Sequence, residues 1–142
     1  MMEIRKATKK DTLRLVNIVN GVKSLEDFPG EYSQSMFNKK IGERDNLFLV
    51  IEIDKIIVGF IICEINKEGK RIYIDSLAVD KNYRNKGIAG KLIKFVEKYS
   101  RKEKLKTIYF NTRIWNKSMN KLAEGNKYKI KDKFFIWEKN LK

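Results

Sequence analysis

Three apolar, strand-like runs follow one another in the middle of the chain. They are "NLFLVIEI", "KIIVGFIICEI" and "RIYIDSLAV". The first two are joined through Asp54-Lys55, and the second and third through the short polar stretch "NKEGK". Connections of this length join antiparallel neighbours, because a parallel connection needs a dozen or more residues. The centre of the chain is therefore predicted to be an antiparallel meander with tight hairpins.

Further segments flank this meander. The pattern predicts a first strand in "EIRKAT", helices in "DTLRLVNIVNGV" and "SQSMFNKKIGE", and a loop in "SLEDFPGEYS", which holds the only proline. After the meander it predicts a helix in "GIAGKLIKFVEKYSRKEK", a strand in "KTIYFNT", a short helix in "NKSMNKLAE" and a closing hairpin in "KYKIKDKFFIWEK", turning at Lys131-Asp132-Lys133. This order predicts an α/β (α+β) protein with helices on the faces of a mixed sheet.

The size and composition fit one domain over residues 1–142. Hydrophobic residues make up 42% of the 142 residues, which is enough for a sizeable core. No apolar run approaches the ~20 residues of a membrane span, and "MMEIRKATKK" lacks the apolar stretch of a secretory signal. We therefore expect a cytoplasmic protein that does not engage a membrane.

Two features of residue usage restrict the chemistry. The chain has no histidine, which excludes Ser-His-Asp and Cys-His catalysis and any imidazole metal site. The single cysteine, Cys63, excludes an internal disulfide and lies in the apolar run "VGFIICEI", where we expect a core residue rather than a nucleophile. No metal site is expected.

The formal net charge is +14, with lysines spread from Lys6 to Lys142. A basic surface attracts nucleic acid, anionic membranes or acidic substrates, but only clustered charge marks a dedicated binding face. The even spread favours diffuse charge, such as an A/T-rich genome would produce. A polyanion-binding face stays open as the alternative.

The stretch "NYRNKGIAGK" stands where the third strand of the meander gives way to a helix. The first N–H groups of a helix have no partner inside it, and the helix dipole adds partial positive charge there. Gly87 lets an anion approach the backbone, and Ala89 and Gly90 keep the first turn free of bulk, while Arg84, Lys86 and Lys91 add positive charge. The stretch can bind phosphate or pyrophosphate. A loop that is merely basic is the competing interpretation, since the stretch is neither a Walker loop nor a dinucleotide fingerprint.

With its neighbours, this motif resembles the Gcn5-related N-acetyltransferase (GNAT) family. The segment "LAVDKNYRNKGIAGKLI" matches the family pattern Arg/Gln-x-x-Gly-x-Gly/Ala after a strand. "IRKATKKDTLRLVNIV" is similar to its first strand and helix, and "NKSMNKLAEGNKY" to its last helix, which begins with an asparagine. The resemblance implies a mixed, mostly antiparallel sheet of six to seven strands, flanked by about four helices.

The resemblance also implies a site for acetyl-coenzyme A (acetyl-CoA), where the fourth and fifth strands splay apart. The pantetheine arm would pair with the strand edge at Leu77, Ala78 and Val79, and Asn116 would contact the arm from the last helix. Each could instead be only a core residue or a helix cap. The pyrophosphate would lie on the backbone of the loop and first helical turn, at Arg84, Asn85, Lys86, Gly87, Ile88, Ala89 and Gly90.

The implied reaction is direct attack of a primary amine on the thioester in a ternary complex. By family analogy the N–H of Leu77 would stabilise the oxyanion. A carboxylate must accept the proton, directly or through water, and Asp75 and Glu64 are the candidates. Many relatives carry a tyrosine that protonates the leaving thiolate where this chain has Ala123. Here water or Tyr128 could supply that proton, or no general acid is needed.

Three functions are compatible with the sequence. The first is an amine N-acetyltransferase acting on a small molecule, a peptide or protein N-terminus, or a lysine. The second is a non-catalytic acetyl-CoA sensor, suggested by Ala123, and the third is a basic nucleic-acid-associated protein, which is the least favoured. The acidic residues Glu26, Asp27 and Glu31 could attract a cationic acceptor or be a solvated loop. The sequence leaves the acceptor open, and a homodimer is compatible with it.

Overall fold

The computed structural model of the protein describes residues 1–22 and 32–141. Most of the predicted loop "SLEDFPGEYS", including Glu26, Asp27 and Glu31, lies outside the described residues. The chain divides into two compact units, Met1–Asn111 and Thr112–Lys142.

The first unit is built on a five-stranded sheet whose strands lie in the order in which they occur in the chain. Neighbours are antiparallel from the first strand to the fourth, and the fourth and fifth are parallel. This confirms the mixed, mostly antiparallel sheet. The strands are β1 (Met2–Lys6), β2 (Asn46–Ile53), β3 (Ile56–Asn66), β4 (Arg71–Val79) and β5 (Thr107–Tyr109).

The tight connection between β2 and β3 was predicted from Asp54-Lys55. Both residues have positive φ, 50° and 68°. Two consecutive left-handed residues are what a type I′ hairpin turn requires, and this turn matches the natural twist of the strands. The hairpin is confirmed, and β3 and β4 are likewise joined directly through the "NKEGK" segment.

The helices of the first unit are α1 (Thr12–Val19), α2 (Gln34–Gly42) and α3 (Ile88–Lys102). One core cluster packs Leu15, Ile18 and Phe37 from α1 and α2 against one face of the sheet, and a second packs Ile88 and Leu92 from α3 among residues of β2, β3 and β4. On α1, Leu13 is 60% exposed, whereas Leu15, Ile18 and Val19 are buried. Residues 15, 18 and 19 have the i, i+3, i+4 spacing of one helical face, and Leu13 lies two residues, about 200°, away from Leu15.

A β-bulge in β4 changes which of its side chains face which helix layer. Ile62 pairs with Ser76 and Cys63 with Ile74, so Asp75 has no partner in β3. Before the bulge, Ile74 packs in the cluster below α3; after it, Ala78 packs in the cluster below α1 and α2. The extra residue therefore reverses the in-out alternation of the strand.

β5 accompanies β4 for only a short distance. The parallel pairing joins Arg71–Tyr73 to Thr107–Tyr109 and includes no later residue of β4. The remaining edge of β4, residues 74–79, has no strand beside it among the residues that the structure describes. Backbone N–H and C=O groups at such an edge can form hydrogen bonds with an extended peptide or ligand.

The second unit holds helix α4 (Lys117–Gly125). Within its described residues, 112–141, no strand occurs, so the predicted hairpin at Lys131-Asp132-Lys133 is wrong in this structure. The described sheet has five strands rather than six to seven. The hairpin prediction used alternation alone, and a two-stranded hairpin without a further layer is marginal in water.

Cys63 is fully buried in the cluster below α3, which confirms the expected core role. Burial, with a smaller contribution from Asp75, raises the pKa of its thiol to about 12. A thiol with this pKa is not a nucleophile at neutral pH. Across the described part of the chain, no helix is both long enough and apolar enough to span a membrane.

Candidate functional site

The segment between β4 and α3 is shaped by its backbone. Asp80 caps a short 3-10 helix, Lys81–Tyr83, by accepting a hydrogen bond from the N–H of Asn82 at 2.8 Å. Asn85 (φ 62°) and Gly87 (φ 74°) then both adopt the left-handed conformation. Successive N–H groups in such turns often form a concave site for an anion.

The first turn of α3 is open toward this segment. Its first helical hydrogen bond runs from the N–H of Lys91 to the carbonyl of Gly87, and no side chain caps the helix. The N–H groups of Ile88, Ala89 and Gly90 therefore have no acceptor within the helix. Apart from its chain neighbours and its own helix backbone, a Cβ atom added at Gly87 or Gly90 would meet no atom of the described residues within 4 Å. Open space, unpaired donors and the helix dipole together suit a phosphate or pyrophosphate.

The three predicted cations lie in different surroundings. The Arg84 guanidinium donates to the carbonyl oxygens of Gly21 at 2.7 Å and Val79 at 3.4 Å, so it cross-links the loop to the end of α1 and to β4. The Lys86 ammonium lies 5.5 Å from the centre of the Tyr83 ring, and Lys91 is exposed. All three contribute positive charge, but Arg84 also holds the loop itself.

The unpaired edge of β4 presents its backbone groups in a defined alternation. The N–H of Asp80 donates to the Val58 carbonyl of β3 at 2.8 Å, so the backbone of Ala78 also faces β3. Leu77 and Val79 then direct their N–H and C=O groups to the opposite, open edge, in agreement with the contact between Arg84 and the Val79 carbonyl. An extended ligand pairing with this edge would bond to Leu77 and Val79, and Ala78 would only pack.

Asp75, at the bulge, is the centre of a small polar network. Its Oδ2 atom accepts hydrogen bonds from the Lys40 ammonium at 3.3 Å and the Ser76 hydroxyl at 3.2 Å. Because the Ser76 proton is used there, the Tyr32 hydroxyl, 2.9 Å away, is the donor to Ser76. Oδ1 has no hydrogen-bond partner among the described residues. The carboxylate is held in place and keeps one oxygen for a ligand.

Glu64 lies directly opposite Tyr73 in the β3–β4 register and is exposed. Tyr73 is half-buried and packs against Tyr109 in a tilted arrangement, with 5.0 Å between the ring centres, and Asn111 donates to its hydroxyl at 3.5 Å. Burial, and then the charge of Asp75, raise the pKa of Tyr73 above its usual value. Glu64 itself is exposed, whereas Asp75 is only partly exposed.

Tyr32, Lys40 and Ser76 were not singled out by the sequence reasoning. Lys40 is one of 32 Lys and Arg residues, so nothing in its local sequence distinguishes it. Tyr32 stands on a different segment and meets Ser76 only through the fold. The alternation of β4 would have placed Ser76 on the other face without the bulge.

In the second unit, the Asn116 side chain accepts a hydrogen bond from the N–H of Met119 at 3.2 Å and thus caps α4. The N–H of Tyr128 donates to the carbonyl of Ala123 at 2.9 Å, just after the helix. The capping role of Asn116 is observed; roles of Asn116 and Tyr128 toward a coenzyme stay predictions. Within the described ranges no three acidic or cysteine side chains cluster as a metal site.

An open helix N-terminus following an unpaired strand edge offers backbone hydrogen-bonding groups that suit an extended, phosphate-bearing ligand. The Acetyltransferase (GNAT) family model matches residues 21–125 of this chain. The chain belongs to the GNAT family.

Solved structures of several acetyltransferases share this fold. The PaiA N-acetyltransferase from Thermoplasma acidophilum, in complex with coenzyme A, has 21% sequence identity and a TM-score of 0.86, covering 94% of this chain and 93% of that one. The aminoglycoside acetyltransferase meta-AAC0020 from an uncultured soil metagenomic sample, in complex with sisomicin, has 16% identity and a TM-score of 0.77, covering 99% and 97%. The ribosomal-protein-S18-alanine N-acetyltransferase from Escherichia coli has 18% identity and a TM-score of 0.77, covering 89% and 77%.

Proposed function

We propose that this protein is an N-acetyltransferase that transfers the acetyl group of acetyl-CoA directly to a primary amine. The observation that carries the proposal is the open first turn of α3, with its unpaired N–H groups, next to the unpaired edge of β4. The PaiA protein of similar fold was solved in complex with coenzyme A, which supports the same type of donor.

The residues have the following proposed roles toward the donor. The N–H groups from Gly87 to Gly90 would bind the pyrophosphate, with Lys86 adding charge. The backbone groups of Leu77 and Val79 would hold the amide-bearing arm along the strand edge. Bound in this way, the thioester carbonyl would lie near the bulge, where the N–H of Leu77 would stabilise the negative charge that develops on its oxygen.

Toward the acceptor, Asp75 is the proposed proton acceptor, directly or through one water molecule. Lys40 and Ser76 fix its carboxylate, and Oδ1 stays available to the incoming ammonium. The ammonium would first give one proton to Asp75, directly or through water, and the neutral amine nitrogen would then attack the carbonyl carbon, so that a C–N bond forms, the C–S bond breaks and the coenzyme leaves as thiolate. The second proton that the nitrogen loses after the attack would pass, directly or through water, to the thiolate.

Labelled acetyl-CoA and a panel of primary amines test this proposal. The panel should include diamines, aminoglycosides, peptides with free N-termini and lysine peptides, each analysed for labelled amide. Transfer to at least one class is expected, and Asp75→Asn is the matched variant that should lose it. Saturable binding of acetyl-CoA without transfer to any amine would contradict the enzymatic proposal and favour a sensor, for which Ala123 is the motivating residue.

A further inference from the structure

Helix α1 is tied to the loop that begins after β4 through one arginine. Arg14 donates from Nη2 to Oδ2 of Asp80 at 2.6 Å and from Nε to the carbonyl oxygen of Ile57 at 2.9 Å. Its side chain is 33% exposed and that of Asp80 11%. A two-pronged guanidinium contact fixes orientation as well as distance. Arg14 therefore holds Asp80 against β3 from the side of α1.

Asp80 determines the path of the following loop through three further contacts. Its N–H donates to the Val58 carbonyl at 2.8 Å, its Oδ1 accepts from the N–H of Asn82 at 2.8 Å, and its carbonyl accepts from the N–H of Tyr83 at 2.9 Å. Every hydrogen-bonding group of Asp80 is thus used at the point where the strand becomes the loop. A change in the direction of this carboxylate would move the residues that lead to Gly87.

A second link joins the same two parts of the chain. Arg84, in the loop, donates to the carbonyl oxygen of Gly21, which follows α1. The contacts of Arg14 and Arg84 therefore run in opposite directions between α1 and the loop, one from the helix and one from the loop. Two such links restrain the loop more than either could alone.

We propose that Arg14 is a positioning residue of the acetyl-CoA site: through Asp80, it holds the anion-binding loop in the geometry that the donor requires. This inference rests on the proposed function, because it concerns the affinity for acetyl-CoA. The physical reason is preorganisation: a ligand that must first order its loop binds more weakly. Arg14 itself stands behind the loop and is not assigned a contact with the donor.

Arg14→Met is the principal test, because methionine keeps an unbranched side chain but removes all donors. We expect its Kd and KM for acetyl-CoA to rise on the order of tenfold, while KM for the amine stays within twofold, since small displacements of binding groups have effects of this size or larger. Arg14→Lys keeps the charge and should recover part of the loss. Fluorescence or calorimetric titration with acetyl-CoA, together with steady-state kinetics, gives these values.

Arg5→Met is a matched control. The Arg5 side chain is 34% exposed, close to the 33% of Arg14. Arg5 also pairs with carboxylates, those of Asp11 and Glu52, but it does not contact the loop. Both variants should unfold at lower denaturant concentration than the wild type. Only Arg14→Met should weaken acetyl-CoA binding when both are assayed under conditions where they are fully folded.

The double variant Arg14→Met/Asp80→Asn separates the ion pair from general damage. Asparagine can still accept from the N–H of Asn82, so the double variant should bind acetyl-CoA no more weakly than Arg14→Met alone. If the losses of acetyl-CoA affinity caused by Arg14→Met and by Asp80→Asn, each measured alone, multiply in the double variant, Arg14 does not act through Asp80. If Arg14→Met and Arg5→Met bind acetyl-CoA as the wild type does, the positioning role is wrong and the proposed function stands. If the wild type itself fails to bind acetyl-CoA, both are wrong.

Discussion

The donor side and the acceptor side of the candidate site are built from different parts of the chain's chemistry. The donor side consists of backbone groups in one continuous segment, from Leu77 to Gly90. The acceptor side depends on side chains from three segments, which meet at Asp75 through Lys40, Ser76 and Tyr32. A backbone site leaves a local signature of glycines, whereas a side-chain site exists only after folding.

This difference explains what the sequence could predict. Gly87 and Gly90 stand in a helix start where glycine is otherwise unfavourable, and they led directly to the anion-binding turn. Leu77 and Asp75 followed from their position at the end of a strand and from the family resemblance. The Asp75 network could not be predicted, because it needs a β-bulge, and neither propensity nor alternation reveals where an extra residue is inserted.

The same reasoning applies to the failures in the fold. The helix and meander boundaries were predicted closely, because their periodicity and turn residues are local. The hairpin at Lys131-Asp132-Lys133 was wrong in this structure, because strand formation depends on a partner and alternation alone does not provide one. Arg84 was predicted as a phosphate contact, and its additional links to the Gly21 and Val79 carbonyls depend on the three-dimensional arrangement.

The largest expected effect is a loss of activity on substitution of Asp75, which belongs to the acceptor side and not to the donor side. Asp75→Asn removes the proposed proton acceptor while preserving size, so kcat should fall at least about a hundredfold, the usual contribution of a general base. Affinity for acetyl-CoA should stay within about twofold, since the donor site is made of backbone. Kinetics and titration on the same preparation check both values.

Glu64→Gln provides the comparison for that experiment. Glu64 is exposed and opposite Tyr73, and it has no link to the Lys40–Ser76 network, so its loss should be the smaller of the two. If Glu64→Gln reduces kcat more than Asp75→Asn, the proton acceptor has been assigned to the wrong carboxylate.

A smaller effect, on stability, is expected at Gly59 of β3, which pairs with Val79 of β4. A Cβ at Gly59 would lie 3.0 Å from the carbonyl oxygen of Ala78 and 3.2 Å from the side chain of Ile51. Gly59→Ala should therefore lower the free energy of unfolding by ~1–3 kcal/mol, as overpacking of a core does. Urea unfolding measures it, with Gly42→Ala as the control, since a Cβ at Gly42 lies within 4 Å of no other atom in the described part of the chain, its own helix backbone and chain neighbours aside. Equal stability of the two variants would show that β3 and β4 have room to separate.

The smallest effect concerns pH and the pair that supports the donor loop. Burial would raise the pKa of Asp80, but hydrogen bonds from Asn82 and Arg14 outweigh it, and the pKa lies below its ordinary value of 3.8. A carboxyl with a lowered pKa in the folded state stabilises the protein above pH 3.8, and this contribution disappears as the pH falls through the folded-state pKa. Arg14→Met should make unfolding free energy less dependent on pH in that acidic range. Urea unfolding curves recorded from pH 5 downward give the unfolding free energy at each pH. If this free energy falls with pH as steeply in Arg14→Met as in the wild type, the expectation is contradicted.

The central claim, that the first turn of α3 binds the donor's pyrophosphate, is tested most directly at Gly90. Gly90→Glu introduces a carboxylate at the third helical position, where it can reach back to the N–H of Gly87 and compete with an anion. It also replaces a glycine inside a helix, which should stabilise the fold by about 0.5–1 kcal/mol. Gly42→Glu adds the same charge at a site with equal space, at the end of α2.

The measurement is calorimetric titration of acetyl-CoA into the wild type, Gly90→Glu and Gly42→Glu, each with its melting temperature. We predict that the wild type and Gly42→Glu bind acetyl-CoA with similar affinity, and that Gly90→Glu loses binding although it melts no earlier than the wild type. Affinity of Gly90→Glu equal to that of the wild type would contradict the claim.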